Sequence, residues 1–334
     1  MSRGSASAAP GGGYLGRHGR VCAGVIGGVA GVLHEDELTI GLSTVRALVD
    51  RALPGCRALP LRRLAAPGST NALFRLGEDL LVRLPRRPGG SATILKEARW
   101  LPRVGACLPV PVPAVIAVGE PGFGYPEHWS IMRWIDGVTA TVADSSTELA
   151  GDLAAVVTAL RAVAVPPEAL EDPALRWYRG TPLVTQDRDT RLALVRCQAI
   201  AGLDLDLTAA RAVWEHAMSL PAAARSAPPR WYHGDLVGEN LLTRSDRLAA
   251  VLDFGALSVG DPTVDLIGAW ELLDRPARQV FRRSIGVDEQ TWLIGRAWAL
   301  SLALRTFTYY WATMPQRCAS RRVAIHAILT DATA

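Results

Sequence analysis

The chain has 334 residues, 49% of them hydrophobic and 20% charged, enough apolar material for two sizeable cores. Its net charge of +4 is uneven: residues 1–134 hold 16 basic and 9 acidic side chains, residues 135–334 hold 20 and 23. Five scattered cysteines and six scattered histidines give neither a disulfide framework nor paired metal spacing, and no arginine cluster interleaved with aromatics supports nucleic-acid binding.

Residues 1–34 are rich in Gly, Ala and Ser and include a 13-residue apolar run, Val21 to Leu33, too short to cross a membrane. The run follows a basic residue, as in an export signal, but lacks a small-x-small cleavage site. A disordered extension is expected there, with folded lobes over 35–134 and 135–330. In the first lobe Leu42, Val45, Leu48, Val49 and Leu53 have helical spacing, closed by Pro54-Gly55. Strands are predicted over 59–64, 72–76 and 80–84, separated by a small-residue turn at 66–71 and by Gly77-Glu78-Asp79. Three short strands with tight turns predict an antiparallel sheet.

Ser91 is expected to cap a helix ending at Pro102, with Glu97 on its apolar stripe and Lys96 and Arg99 pointing elsewhere. Strands follow over 114–118 and 129–134, the second leading into a hinge at Ile135-Asp136-Gly137. Beyond it the chain turns helical. Helices are predicted around 149–160, 189–201 and 209–220, the last capped by Thr208, with a loop over 176–188. Further helices are predicted near Trp270, over 277–285 and over 289–311.

The stretch from Trp231 to Asp265 carries the chemistry. Gly234 allows a sharp turn that sets the Asp235 carboxylate at its tip, and Asn240 follows five positions later. Leu241 to Leu252 reads as a hairpin turning at Arg244–Arg247, which returns the chain to Asp253 beside Asn240. Phosphoryl transfer needs a positioned carboxylate and oxygen ligands for Mg²⁺. Asp235 supplies the first and Asn240 with Asp253 the second, while His233 braces the loop. Protein kinases have the same residue types in the same order, with arginine where Gly234 stands. Together with Asp253-Phe254-Gly255, Gly260-Asp261-Pro262 and Asp265, the pattern resembles the aminoglycoside phosphotransferase family and its macrolide and choline kinase relatives.

That resemblance implies an α+β, two-lobed protein-kinase-like fold, with a small antiparallel-sheet N-lobe, a mainly helical C-lobe, and ATP and Mg²⁺ in the cleft. It implies that Ser69 covers the β-phosphate and that Met132 to Ile135 form the adenine edge. It also implies that Arg83, in place of the usual lysine, meets the α- and β-phosphates and pairs with Glu97. Asp261 and Asp265 are assigned to structure, as a helix cap and a tie on the catalytic loop. The implied activity is phosphorylation of a small-molecule hydroxyl in the cytoplasm, with no membrane or nucleic-acid partner. The acidic second part favours a cationic acceptor, an aminoglycoside or related antibiotic, with Asp187, Asp189, Asp204, Asp206 and Glu215 as candidate ammonium partners. The alternatives are a kinase for another hydroxylated metabolite or macrolide, and a pseudokinase-like regulator that binds nucleotide without turnover.

Overall fold

The computed structural model describes residues 36–64 and 70–333; the extension expected over 1–34, and Ser69, lie outside the described residues. Helix α1 (Leu42–Ala52) buries Val45, Leu48 and Val49 along one face. Strands β1 (Leu61–Arg63), β2 (Asn71–Leu76) and β3 (Leu80–Pro85) precede helix α2 (Ser91–Gly105), and β4 (Val115–Gly119) and β5 (Trp129–Arg133) follow it. The sheet order is β1-β2-β3-β5-β4, every neighbouring pair antiparallel. Because side chains alternate along a strand, Val82 and Leu84 of β3 join α1, Phe74, Trp129 and Ile131 in one core, and Arg83 points to the other face.

Two details of α2 differ from expectation. Gly90 is the N-cap, and the Ser91 hydroxyl donates instead to Glu127. Pro102 lies within the last turn and the helix runs on to Gly105, without the bond that an N–H at 102 would make to the carbonyl four residues earlier.

The second lobe begins with β6 (Val138–Thr139), α3 (Thr147–Ala162), α4 (Pro167–Glu171), α5 (Asp187–Gln198) and α6 (Leu207–Ser219). Asp206, not Thr208, caps α6: its carboxylate accepts from the Ala209 N–H at 2.8 Å. Strand β7 (Arg230–Tyr232), the hairpin β8 (Leu241–Arg244) and β9 (Arg247–Val251), and β10 (Ser258–Gly260) carry the motif region. The hairpin turns on Ser245 and Asp246, both at positive φ, the backbone a two-residue turn of this twist requires. Four helices complete the fold: α7 (Gly268–Leu272), α8 (Arg275–Ile285), α9 (Glu289–Tyr310) and α10 (Pro315–Ala332). The last was not foreseen, because its buried Arg321 and exposed Val323 break the apolar stripe.

The helical lobe's core includes Leu153, Val157, Trp214, Trp231, Phe254, Phe281, Trp298 and Phe307. Among the described residues no helix is long and apolar enough to cross a membrane. Leu153, fully buried on α3, also packs where a side chain on Gly268 would stand. Leu153→Ala is expected to cost about 2–5 kcal/mol by urea unfolding, through lost transfer energy and the cavity left behind.

Candidate active site

Strand β7 ends at Tyr232 and delivers His233-Gly234-Asp235 into a turn held by a single buried carboxylate. Asp265 Oδ2 accepts from the His233 N–H at 2.8 Å and Oδ1 from the Gly234 N–H at 2.7 Å. Gly234 takes φ +82°, and a Cβ there would stand 3.1 Å from the Ala256 carbonyl and from the Tyr232 ring, so glycine alone fits. The buried His233 ring accepts from the Asp235 N–H at Nδ1 (3.1 Å), which leaves Nε2 to donate to the Leu252 carbonyl (2.9 Å). Its edge meets Phe254 with ring centroids 4.7 Å apart. The histidine thus links the loop to the far strand of the hairpin.

Asp235, Asn240 and Asp253 converge. Asn240 Nδ2 donates to the Asp235 carbonyl at 2.9 Å and to Asp235 Oδ2 at 3.0 Å. The Leu252 N–H donates to the Asn240 carbonyl at 2.7 Å, which sets Asp253 next to it. Asp253 sits at φ 53°, a left-handed conformation uncommon outside glycine, and its carboxylate is 41% exposed.

Arg83 joins this cluster to the sheet. Its Nη1 lies 2.9 and 2.8 Å from the two Glu97 oxygens and 3.1 Å from Met132 Sδ, and Nη2 lies 3.1 Å from Asp253 Oδ1. Glu97, 1% exposed, also accepts from the Phe254 N–H at 3.2 Å. Burial would lower the Arg83 pKa, yet Glu97 and Asp253 outweigh it, so the guanidinium stays charged. Met132 lies within β5, and Ile135 is half-buried in the irregular link between β5 and β6. Lys96, expected to point away from the Glu97 stripe, is nonetheless buried. It is 8% exposed, and burial lowers its amine to about 8 although Glu97, Asp253 and Asp172 raise it.

Several residues at the site were missed by sequence reasoning. Arg179, in a 3₁₀ turn (Tyr178–Gly180) within the expected loop, lies 2.6 Å from Asp235 Oδ1. Burial pushes the Asp235 carboxyl up, but Arg179 prevails and holds it below the ordinary carboxylate range. From α10, Arg317 and Arg321 reach Glu239, the neighbour of Asn240, at 3.1 and 2.9 Å, and Arg321 also reaches Glu271 at 2.5 Å. The only sequence signal for Arg179 is its place after Trp177 and Tyr178, faces on which a guanidinium can stack.

Asn240 and Asp253 fit a magnesium ion. With Nδ2 turned to Asp235, the amide oxygen of Asn240 is left for a cation, and Asp253 Oδ2 adds a carboxylate oxygen. Two hard oxygen donors suit Mg²⁺, which keeps water and phosphate as its other ligands. Among the described residues no group of three or more His, Cys, Asp or Glu side chains forms a metal cage.

An antiparallel sheet over a helical lobe, with these carboxylates between them, defines a kinase-like phosphotransferase. A family model described as the phosphotransferase enzyme family (APH) matches residues 62–300, and the chain belongs to that family. Among solved structures, a GDP complex of a wild-type aminoglycoside 2'-phosphotransferase is 20% identical, with a TM-score of 0.62 over 86% of this chain and 98% of that one. A ternary complex of a related phosphotransferase with streptomycin and ATP is 16% identical, with a TM-score of 0.58 over 88% and 97%. The apoenzyme of a macrolide 2'-phosphotransferase from Brachybacterium faecium is 24% identical, with a TM-score of 0.56 over 86% and 98%. At these identities the likeness carries the fold. No curated protein matches the sequence.

Two substitutions test this construction. Asp265→Ala leaves two buried N–H groups without an acceptor and is expected to cost about 2–5 kcal/mol by urea unfolding. Burial, with Glu239 and Asp235 adding to it, pushes the Glu271 carboxyl up from 4.5 to about 7 despite Arg321. A carboxyl raised in the folded state stabilises fully below its unfolded value and loses that contribution as pH rises through the folded value. Wild type should therefore lose on the order of 3 kcal/mol from this group between pH 4.5 and 7.5, and Glu271→Gln should flatten that fall. Equal pH slopes in urea midpoints for the two proteins would dismiss this role for Glu271.

Proposed function

We propose that the protein transfers the γ-phosphoryl group of ATP, with Mg²⁺, to a hydroxyl of a small molecule. The observation that carries this reading is the run of contacts from Asp235 to Asn240, from the Asn240 carbonyl to the Leu252 N–H beside Asp253, and from Asp253 to Arg83. Asp235 accepts a hydrogen bond from the acceptor hydroxyl and aligns its oxygen with the γ-phosphorus. His233 stays clear of the reacting atoms and fixes the loop that carries Asp235. Arg83, oriented by Glu97, presents its charge to the α- and β-phosphates. The backbone from Met132 to Ile135 receives the adenine. Asn240 and Asp253 would hold Mg²⁺, which when bound neutralises charge on the phosphate oxygens. The reaction belongs in the cytoplasm, where ATP is available, and the lobe boundary falls at the hinge after Trp134.

For the acceptor, an aminoglycoside or related antibiotic is supported by the family and by the substrates named for similar structures. One observation favours a second reading, an acceptor with fewer positive charges such as a macrolide. Three of the five carboxylates expected to meet ammonium groups already have cations: Arg191 lies 2.8 Å from Asp187 and 3.2 Å from Glu215, and Arg305 lies 3.8 Å from Asp189. ADP release measured against a panel of aminoglycosides, macrolides and amino alcohols separates the two. Asp235→Ala is expected to bind ATP normally and lose transfer by ~10²–10⁴-fold. Near-normal turnover in that variant would remove Asp235 from its role, and turnover undiminished by chelating Mg²⁺ would remove the metal.

A further inference from the structure

The Asp235 carboxylate has neither oxygen free of protein. Oδ2 is held by Asn240 Nδ2 at 3.0 Å, and Oδ1, on the side away from Asn240, by Arg179 Nη1 at 2.6 Å. The same Nη1 donates to the Gly234 carbonyl at 2.5 Å and Nε to the Tyr178 hydroxyl at 3.0 Å. The guanidinium carbon stands 4.6 Å from the Trp177 ring centroid, and the Arg179 side chain is only 15% exposed. A surface arginine on a mobile chain would have none of these constraints.

The backbone beneath Arg179 is equally fixed. A Cβ on Gly180 would lie 2.6 Å from the Tyr232 ring, and one on Gly260 would lie 2.7 Å from the Gly180 carbonyl. That carbonyl accepts from the Asp261 N–H at 3.0 Å. The 3₁₀ turn is therefore seated on β7 and β10, the strands that flank the catalytic turn. The backbone that carries Arg179 is held in register with Asp235 by close packing, so only the side chain has to move for Oδ1 to be released.

A kinase that orients an acceptor hydroxyl must avoid orienting water in its place. In hydrolysis a water oxygen bonds to the γ-phosphorus, the bond from phosphorus to the β,γ-bridging oxygen breaks, and the water proton passes to Asp235 or to the departing phosphate. ADP and inorganic phosphate result. Water brings almost no binding energy with which to displace a guanidinium, whereas a bound acceptor has contacts along its whole length. We propose that Arg179 is a positioning residue that makes transfer selective for an acceptor over water, by holding Asp235 Oδ1 until a bound acceptor displaces it. This rests on the reading of Asp235 as the group that orients the nucleophile.

The test needs ATP and Mg²⁺ alone. ADP and inorganic phosphate are measured without acceptor for wild type, Arg179→Gln, Arg179→Lys, Tyr178→Phe and the double variant Arg179→Gln/Asp235→Asn, with ATP affinity measured separately by equilibrium binding. Arg179→Gln is expected to raise kcat for hydrolysis about 10- to 100-fold, the worth of a charge-assisted hydrogen bond, at unchanged ATP affinity. Tyr178→Phe, which loosens the arginine and keeps its charge, should raise it about 2- to 10-fold. Arg179→Lys should stay nearer wild type, and the double variant should return to background. Hydrolysis that stays level or falls in Arg179→Gln and Tyr178→Phe, with ATP bound normally, overturns the proposal. If Arg179→Gln does not fold, the Tyr178→Phe result decides it. Failure of wild type to bind ATP would instead sink the phosphotransfer reading, and this proposal with it.

Discussion

Everything at the site depends on one buried guanidinium. Arg83 leaves the sheet at the centre of β3 and meets carboxylates from two other parts of the chain, Glu97 on α2 and Asp253 after the hairpin. Taking an arginine out of water is costly, and the cost is offset only when partners of opposite charge are held in good geometry. The sheet, α2 and the Asp253 loop must therefore assemble together. Glu97 extends the link by accepting from the Phe254 N–H, and Phe254 carries it to the edge of His233. Cation, carboxylates and the His233–Asp235 turn form one connected set, and removing any one member would leave another charge or donor without its partner.

Arginine fills most of the cationic roles in this protein, since Lys96 is the only lysine. Its forked donors allow one residue to join two acidic groups, as Arg321 does for Glu239 and Glu271 and Arg191 for Asp187 and Glu215. Net charge is therefore a poor guide to what this part of the chain would bind. Many acidic side chains of residues 135–334 sit in ion pairs, so the field presented to a ligand differs from the sum of the sequence.

The departures from expectation share a cause. Sequence spacing shows which residues share a helix face, and it shows little of what covers that face. Lys96 neighbours Glu97 and is buried with it because α2 packs against both the sheet and the 254–256 turn, leaving little of its surface in water. Helix α10 presents arginines inward because Glu239 and Glu271 await them there, a placement that apolar periodicity cannot register. The cap of α6 shifted from Thr208 to Asp206 because both have capping side chains and only the chain's exit from the preceding turn chooses between them.

Local chemistry was legible in the sequence: the antiparallel strands of the first lobe, the sharp turn at Gly234, the hairpin that returns Asp253 to Asn240, and the pairing of Arg83 with Glu97. Each depends on residues close in the chain, or on a buried charge that demands an opposite one, and such demands are written in residue type and spacing. Tertiary structure alone decided that Arg179 sits on Asp235 and that α10 braces the loop at Glu239. Those contacts join segments 56 and 82 residues apart, and the partner of a long-range charge is chosen by packing between elements, which spacing along the chain does not encode.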